Sequence, residues 1–394
     1  PTPFTPEIKV ALSFSFFIKK ELFSKGFINE IIYSFKIVLD LIRKNKIQFK
    51  YIPKLVAIVI VNLINYPFRS YERLFINPNY YKKAINHSPV FIIGHWRSGT
   101  THLHNLLCQD EQMAYATTYQ SVFPDTLFNK LGRFLFRSFS TLLIPGTRNG
   151  DNVTLGASLP QEEEFALGDK TPLCFYFFWM FPTNMIKYYN DFIRFNNINL
   201  NQLENWKAEY KLLIKKAIKN TKGNRYLSKN PPNTGRIRVL LEMFPDAKFI
   251  HIHRNPIEVF LSTQNFYNKM LPPLQLQSIS KEEIDLNIQR VYKKIMSDYL
   301  NQKELIPSGN LIEVSYDELE ENPTAILNKI YETLNFDNYD LASKNFESYI
   351  DKLKSYKKNT HKINKNQLDI LLKEWGFTME LYNYSIPKHI EIID

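Results

Sequence analysis

Short apolar runs alternate with amphipathic segments of helical length over most of the chain. The runs are four to six residues long, which is typical of buried strands. Predicted strands span residues 89–93, 225–228, 248–252 and 310–315. Predicted helices begin near residue 100 and span 203–218, 234–244, 257–266 and 325–334. Because this alternation favours parallel pairing through right-handed crossovers, we expect a three-layer α/β fold with a central parallel sheet flanked by helices.

The first part of the chain has a different pattern, with apolar residues at helical spacing and no strand signals. We therefore predict an N-terminal helical extension over residues 1–85 and a main domain over residues 86–394. Residues 55–64 form the most apolar run of the sequence. This run is shorter than the ~20 residues that span a membrane. A buried helix is the preferred interpretation, and a segment in a membrane interface is the alternative.

Composition narrows the class of protein. The 30 Phe and 23 Tyr residues argue against disorder. The net charge of +11 suits an anionic ligand or membrane, although scattered lysines can simply solvate a surface. No nucleic-acid-binding module is recognisable, so we expect no nucleic-acid partner. Cys108 and Cys174 lie among apolar residues without a nearby partner, which predicts two buried thiols and a cytoplasmic location.

A glycine-bracketed loop follows the first predicted strand: residues 94–101 read Gly-His-Trp-Arg-Ser-Gly-Thr-Thr and open a helix. Glycines let the backbone wrap an anion, and free N–H groups at a helix N-terminus point at it. The candidate ligands in this loop are Arg97, Ser98, Gly99, Thr100 and Thr101. An ordinary tight turn is the simpler alternative.

The loop lacks two parts of nucleoside-triphosphate chemistry. Thr100 stands where an ATP- or GTP-binding loop has its lysine, and strand 248–252 runs into His253 and Arg254 without an aspartate. A P-loop kinase or NTPase is therefore a disfavoured alternative.

A second anion-binding motif follows strand 248–252. Arg254 precedes Pro256, which suits the first turn of a helix, and Ser262 lies eight residues after Arg254, about two helical turns. An arginine at a strand end and a hydroxyl on the next helix can converge on a phosphate. A capped helix with a surface arginine is the alternative.

Together these motifs resemble the PAPS-dependent sulfotransferases, whose donor is 3′-phosphoadenosine-5′-phosphosulfate. The loop with its continuation His-Leu-His-Asn-Leu-Leu at 102–107 resembles the bacterial branch. Residues 228–231, Ser-Lys-Asn-Pro, and residues 313–319 resemble further family elements, and the similarity covers about residues 88–375. The resemblance implies a P-loop-like fold and transfer of a sulfuryl group from PAPS to a hydroxyl. It also implies 3′-phosphoadenosine-5′-phosphate as product, no required metal, and a sulfotransferase domain over residues 86–394.

The resemblance also implies roles for the ligands. Arg97 would contact the bridging region of the phosphosulfate, where many family members have lysine, and stabilise the leaving phosphate. Thr100 and Thr101 would bind the 5′-phosphate, and Arg254 and Ser262 the 3′-phosphate. The basic stretch 354–362, with His361, would correspond to a segment that closes over the nucleotide; a solvated lysine run is the alternative.

Transfer to a hydroxyl requires a general base. Residues 160–165, Pro-Gln-Glu-Glu-Glu-Phe, resemble a Pro-x-Glu element of this branch. We expect that three adjacent carboxylates cannot all point inward, and favour Glu162 and then Glu164. Acidic residues placed for the helix dipole are the alternative. His95, His102 and His104 are further candidate bases, although packing in the core is the preferred interpretation of His104. Lys229 is a candidate group to hold the transferring sulfonate, and a surface charge on a turn is the alternative.

Aromatic residues suggest the acceptor. The run 175–181, with Trp179, and the neighbouring Tyr115 and Tyr119 could line an apolar pocket, although such stripes more often form core. A pocket of this kind would take an apolar alcohol or lipid. The N-terminal helices are then candidates for peripheral membrane contact. A non-catalytic, membrane-associated nucleotide-binding protein is the remaining alternative.

Overall fold

The structure, a computed structural model, describes residues 35–129, 134, 156–352 and 362–393. Its strands are β1 (Val90–Ile93), β2 (Met113–Ala114), β3 (Arg225–Lys229), β4 (Lys248–His253), β5 (Leu311–Ser315), β6 (Lys362–Asn364) and β7 (Glu391–Ile393). Its α-helices are α1 (Phe35–Lys44), α2 (Ile52–Tyr71), α3 (Asn77–Tyr81), α4 (Thr100–Leu107), α5 (Thr118–Val122), α6 (Glu163–Lys170), α7 (Met185–Phe192), α8 (Leu200–Thr221), α9 (Ile237–Met243), α10 (Pro256–Leu274), α11 (Lys281–Gln302), α12 (Tyr316–Glu321), α13 (Pro323–Leu334), α14 (Tyr339–Lys352) and α15 (Lys365–Leu381). Shorter helical turns include Phe49–Tyr51, Glu72–Ile76, Phe175–Trp179 and Pro231–Gly235.

Five parallel strands form the central sheet in the order β2-β3-β1-β4-β5. Alternate residues of β1 enter different cores: Phe91 packs on the α10 and α11 side, and Ile92 packs on the α4 and α13 side. The predicted three-layer α/β fold is therefore confirmed. The four predicted strands are β1, β3, β4 and β5, whereas β2 in this sheet and the separate pair β6 and β7 were not predicted.

Strand register brings three functional segments to one edge. Ile92 of β1 lies opposite Lys229 of β3 and Ile250 of β4. The carboxyl ends of these strands continue into the loop at Gly94, into residue 230, and into Arg254. In open parallel sheets, ligands bind in the crevice outside such strand ends.

Capping residues determine where α10, the helix that carries the second motif, begins. The side chain of Asn255 accepts a hydrogen bond from the N–H of Ile257 and caps α10, which starts at Pro256 as predicted. The helix continues to Leu274, well beyond the predicted end at residue 266.

The prediction that residues 55–64 form a buried helix is right about the helix and wrong about its burial. These residues lie in α2, but of this run only Ile58 and Asn62 are buried, whereas Leu63 and Ile64 are 52% and 63% exposed. The packed face of the helix is partly polar, since Asn62 accepts a hydrogen bond from Arg69 and Arg69 pairs with Asp169 at 2.7 Å. The apolar face therefore points away from the protein.

Two further predictions concern the cysteines and the domain boundary. Cys174 is buried as predicted, Cys108 is only partly buried, and both are free thiols. The division of the chain near residue 86 stays a prediction.

Candidate functional site

The loop between β1 and α4 depends on its two glycines. Gly94 has φ 144°, and a Cβ there would lie 2.3 Å from the carbonyl oxygen of Ile252 in β4. Gly99 has φ 96°, and its Cβ would lie 2.2 Å from a ring carbon of Tyr316. Only glycine adopts a positive φ without strain and has no Cβ to collide with these atoms. The two glycines therefore let the loop pack directly on β4 and on the start of α12.

Two hydroxyls fix the shape of the loop, one from within it and one from the turn Pro231–Gly235. The Ser98 hydroxyl donates to the carbonyl of His95 at 2.6 Å and lies 3.2 Å from the carbonyl of Ile252. Thr234, which no sequence signal marked, accepts a hydrogen bond from the Gly94 N–H at 2.8 Å. The side chain of Ser98 is thus engaged in the loop itself, unlike the donor expected from the sequence.

The start of α4 is suited to an anion. The helix begins at Thr100 directly after the left-handed Gly99, and Thr100 is buried while Thr101 is partly exposed. N–H groups in the first turn of a helix have no acceptor within the helix, and the helix dipole adds positive potential there.

Arg97 joins the two predicted motifs. It has φ 71°, and its Nε donates a hydrogen bond to Ser262 Oγ at 2.9 Å, across 165 positions of sequence. Its guanidinium carbon also lies 5.2 Å from the ring centroid of Phe266. The loop and helix α10 therefore meet through the predicted ligands.

Arg254 is oriented by two residues that the sequence did not mark as its partners. Its Nε donates to Glu258 Oε2 at 3.0 Å. Its guanidinium carbon lies 4.4 Å from the ring centroid of Tyr316, the ring that also packs on Gly99. Tyr316 therefore lies between the two anion-binding motifs.

Glu162 lies beside the loop and within hydrogen-bond reach of Lys229. Its Oε1 accepts from Lys229 Nζ at 2.5 Å, and its Oε2 accepts from the Tyr176 hydroxyl. The same Tyr176 hydroxyl accepts from Trp96 Nε1 at 2.9 Å. Since Trp96 precedes Arg97, hydrogen bonds connect the candidate base to the phosphate loop.

The other two glutamates are held by the protein core. Glu163 accepts from the hydroxyls of Ser228 and Tyr210, and burial raises the pKa of its carboxyl. Glu164 accepts from Arg236 Nη1 at 2.7 Å and from Asn230. These contacts favour Glu162 over Glu164 as the group open to chemistry.

The expectation that the three carboxylates cannot all point inward is wrong. Glu162, Glu163 and Glu164 are 7%, 1% and 0% exposed. All three can be buried because α6 begins inside the protein and each carboxylate has hydrogen-bond donors of its own.

The three histidines near the loop are weak bases. Burial lowers the pKa of His95 to about 4, and burial with the charge of Lys229 lowers the pKa of His104 to about 3. Burial also lowers the pKa of His102. His104 is packed in the interior, as the sequence suggested.

The aromatic run is mainly core. Residues 175–181 are all buried, which agrees with the preferred interpretation of the sequence. Trp179 packs on Phe266 with ring centroids 5.8 Å apart, and Phe266 contacts Arg97. The edge of this core therefore borders the candidate site. Of the predicted closing segment 354–362, all but Lys362 lies outside the described residues.

Comparison with known proteins identifies the family of the chain. The sequence model of the sulfotransferase family matches residues 89–340. The omega-hydroxy-beta-dihydromenaquinone-9 sulfotransferase Stf3 of Mycobacterium bovis is 27% identical over 327 residues, which is 82% of each chain. The Mycobacterium tuberculosis protein of the same name matches equally.

Solved structures share the fold. The chain resembles sulfotransferase STF9 from Mycobacterium avium with a TM-score of 0.62 and 16% identity, covering 81% of this chain and 82% of that one. It resembles STF1 from Mycobacterium tuberculosis with a TM-score of 0.59 and 17% identity, covering 79% and 85%.

The chain belongs to the sulfotransferase family, because the family match covers well over half of its length. The predicted enzyme class, a sulfotransferase, is thereby confirmed, and the P-loop kinase alternative falls away.

Proposed function

We propose that the loop of residues 94–101 and the pair Arg254 and Ser262 hold PAPS at its two phosphorylated ends. The observation that carries the proposal is the 2.9 Å hydrogen bond from Arg97 to Ser262, which joins the two motifs. The first turn of α4, with Thr100 and Thr101, suits the 5′ end, and Arg254 suits the 3′-phosphate. PAPS supplies the sulfuryl group that is transferred.

The surrounding side chains handle the proton and the charge. The Glu162 carboxylate, at hydrogen-bond distance from Lys229, accepts the proton of the acceptor hydroxyl. Lys229 adds positive charge where the sulfonate is transferred, and Arg97 stabilises the charge that develops on the leaving phosphate. That no metal is needed stays a prediction.

Calorimetric titration with 3′-phosphoadenosine-5′-phosphate in the absence of magnesium tests the donor site. Wild-type protein should bind it, and Arg254→Ala and Arg97→Ala should weaken binding by about tenfold or more, since each removes a hydrogen-bonding charge. ATP with magnesium is the matched ligand control. A preference for ATP, or unchanged affinity in both variants, would overturn the proposed site.

We infer that the acceptor is an apolar alcohol or a lipid. The relative from Mycobacterium bovis is named for a hydroxylated menaquinone derivative. In this chain the aromatic contacts of Trp179 and Phe266 border Arg97, which suits an apolar acceptor. Turnover of a panel of hydroxylated lipids and matched polar sugars would test the inference, and faster turnover of the sugars would contradict it.

Peripheral contact with an anionic membrane surface is the second part of this proposal. The stretch Phe49–Tyr81 is long and apolar enough to cross a membrane by length and composition alone. Its exposed apolar residues recur mostly three or four positions apart and include Ile52, Val56, Ile60, Leu63, Ile64, Phe68, Tyr71 and Phe75. We call this set the apolar face of the N-terminal helices.

Buried ion pairs favour surface contact over a membrane span. Arg69 pairs with Asp169 at 2.7 Å, and Glu72 pairs with Lys216 at 2.5 Å, so the opposite face of the stretch is fixed to the protein. A helix fixed in this way can lie on a membrane but cannot enter it alone.

The charge along the same stretch favours anionic lipid. No acidic residue occurs between Asp40 and Glu72, whereas five lysines and arginines do besides Arg69, whose charge is paired with Asp169. Basic residues beside an apolar helical face are typical of proteins that bind an anionic bilayer surface. The cytoplasmic location stays a prediction.

Co-sedimentation with vesicles tests this contact. Wild-type protein should bind vesicles of phosphatidylcholine with phosphatidylglycerol more than phosphatidylcholine alone, and Leu63→Asp should lose most of the binding. Leu341→Asp changes a leucine that is 69% exposed on α14 and serves as the matched control. Unchanged binding by Leu63→Asp, or self-association through this face without vesicle binding, would overturn the proposal.

A further inference from the structure

The C-terminal segment, residues 384–389, contacts the residues on both sides of Arg254. The Tyr384 hydroxyl lies 2.9 Å from His253 Nδ1. The Ser385 carbonyl accepts a hydrogen bond from Asn255 Nδ2 at 2.7 Å. The segment therefore binds the strand end and the helix cap between which Arg254 lies.

The same segment reaches the partner of Arg254. Glu258 offers Oε2 to Arg254 Nε at 3.0 Å and Oε1 to His389 Nε2 at 3.0 Å. Glu258 is buried in the first turn of α10, so a contact at each oxygen fixes the orientation of its carboxylate. A guanidinium held through Nε presents its terminal nitrogens in a set plane, and the Tyr316 ring at 4.4 Å supports that plane.

Both ends of the segment are tied to the protein. Helix α15 precedes it, and β7 follows it and pairs with β6 in parallel register from Lys362 opposite Glu391. The family match ends at residue 340, so the segment lies beyond the part of the chain that defines the family.

We propose that residues 384–389 position Arg254 for the nucleotide, with Glu258 as the residue through which the segment acts. The proposal rests on the proposed role of Arg254 at the 3′-phosphate. Glu258, Tyr384 and His389 are positioning residues, because they act on the arginine. Their loss should weaken nucleotide binding and leave the transfer step unchanged.

Variants of the full-length protein test the proposal by the affinity for 3′-phosphoadenosine-5′-phosphate and by KM for PAPS and kcat. His389→Ala should raise Kd and KM about threefold, as expected for a partly exposed pair, with kcat unchanged. Tyr384→Phe should act in the same direction, and Glu258→Gln should have a larger effect because Arg254 loses its charged partner. His389→Gln, which keeps an N–H donor, should restore most of the affinity.

Lys388→Ala is the matched control, because Lys388 is an exposed neighbour in the same segment and should keep wild-type affinity. Arg254→Ala separates the two proposals. If Arg254→Ala keeps its affinity, the proposed 3′-phosphate site itself fails. If Arg254→Ala loses affinity while the Tyr384, His389 and Glu258 variants match wild type, the donor site stands and the positioning role is overturned. A fall in kcat equal to the rise in KM would also overturn it.

Discussion

The phosphate loop, residues 94–101, and the glutamate cluster, Glu162–Glu164, lie at the same edge of the sheet but are built differently. The loop takes part of its shape from its own residues, namely two glycines with positive φ and the internal hydrogen bond of Ser98, and Thr234 adds one hydrogen bond from outside. Each glutamate instead depends on partners from distant segments, such as Lys229 for Glu162 and Arg236 for Glu164.

Because of this difference, substitutions in the two regions should have different effects. A change in the loop alters the geometry of ligand binding directly. In the cluster, adjacent residues of the same type have unlike roles, so their loss should affect catalysis in one case and stability in another. Four predictions test the comparison.

Glu162→Gln should have the largest effect. Removal of the proposed base should lower kcat about 10²–10⁴-fold, because proton transfer from the acceptor hydroxyl loses its carboxylate. Affinity for 3′-phosphoadenosine-5′-phosphate should stay at the wild-type value, as measured by calorimetry beside steady-state kinetics. A variant with kcat close to wild type would remove Glu162 from the mechanism.

Glu164→Gln should reduce stability instead. The fully buried Arg236 would lose its carboxylate, which should lower the free energy of unfolding by about 3–5 kcal/mol. Urea denaturation measures this, and kcat per folded molecule should remain near wild type. Wild-type stability combined with a large loss of kcat would reverse the assignment of the two glutamates.

Gly99→Ala should affect the loop through both strain and contact. Its positive φ should cost about 1–3 kcal/mol, and the added Cβ would collide with Tyr316, so nucleotide affinity should fall about tenfold or more. Gly309→Ala is the matched control, since Gly309 has φ 82° and no atom within 4 Å of the added Cβ. Equal effects on nucleotide affinity from both substitutions would show that contact with Tyr316 is irrelevant.

Acidification should affect the two regions in opposite directions. The pKa values of His95 and His104, about 4 and about 3, lie below the ordinary value of 6.5. As the pH falls below 6.5, the unfolded state binds protons that the folded state excludes, so each histidine should lower stability by up to about 1.4 kcal/mol per pH unit. Glu163 has a raised pKa, so its folded form takes up a proton first and partly offsets this loss.

Melting temperatures between pH 7.5 and pH 5 test the histidine effect. His104→Gln should flatten the decrease, because the variant lacks a histidine that the folded state keeps neutral. A decrease that is as steep in His104→Gln as in wild type would contradict the prediction.

The sequence predicted the elements whose signals are local. Short runs of strand length predicted the four longer strands of the sheet, of which β1 is apolar and buried throughout, and glycine spacing predicted the loop. Arg254 and Ser262 were predicted because they are close in sequence, one at the end of a strand and the other on the helix that follows. The two-residue β2 was missed because it is too short to form a pattern.

Residues whose role depends on a distant partner could not be predicted. Tyr176, Tyr316 and Thr234 look like ordinary core or surface residues until the fold brings Trp96, Gly99 and Gly94 beside them. Likewise, the spacing of apolar residues in α2 predicts a helix, but it does not show which face of that helix packs against the protein. Polar residues such as Arg69 and Glu72 took the inner face because their ion-pair partners lie there.

The direct packing of Gly94 on the carbonyl of Ile252 makes the ends of β1 and β4 a single rigid unit, although most of the sequence between them is devoted to other elements. Residues 109–224 separate α4 from β3 in the sequence. They include Glu162 and the aromatic core beside the site. This segment can change in sequence without altering the packing between β1 and β4. A chimera that exchanges residues 109–224 between two relatives should therefore carry acceptor preference with the exchanged part.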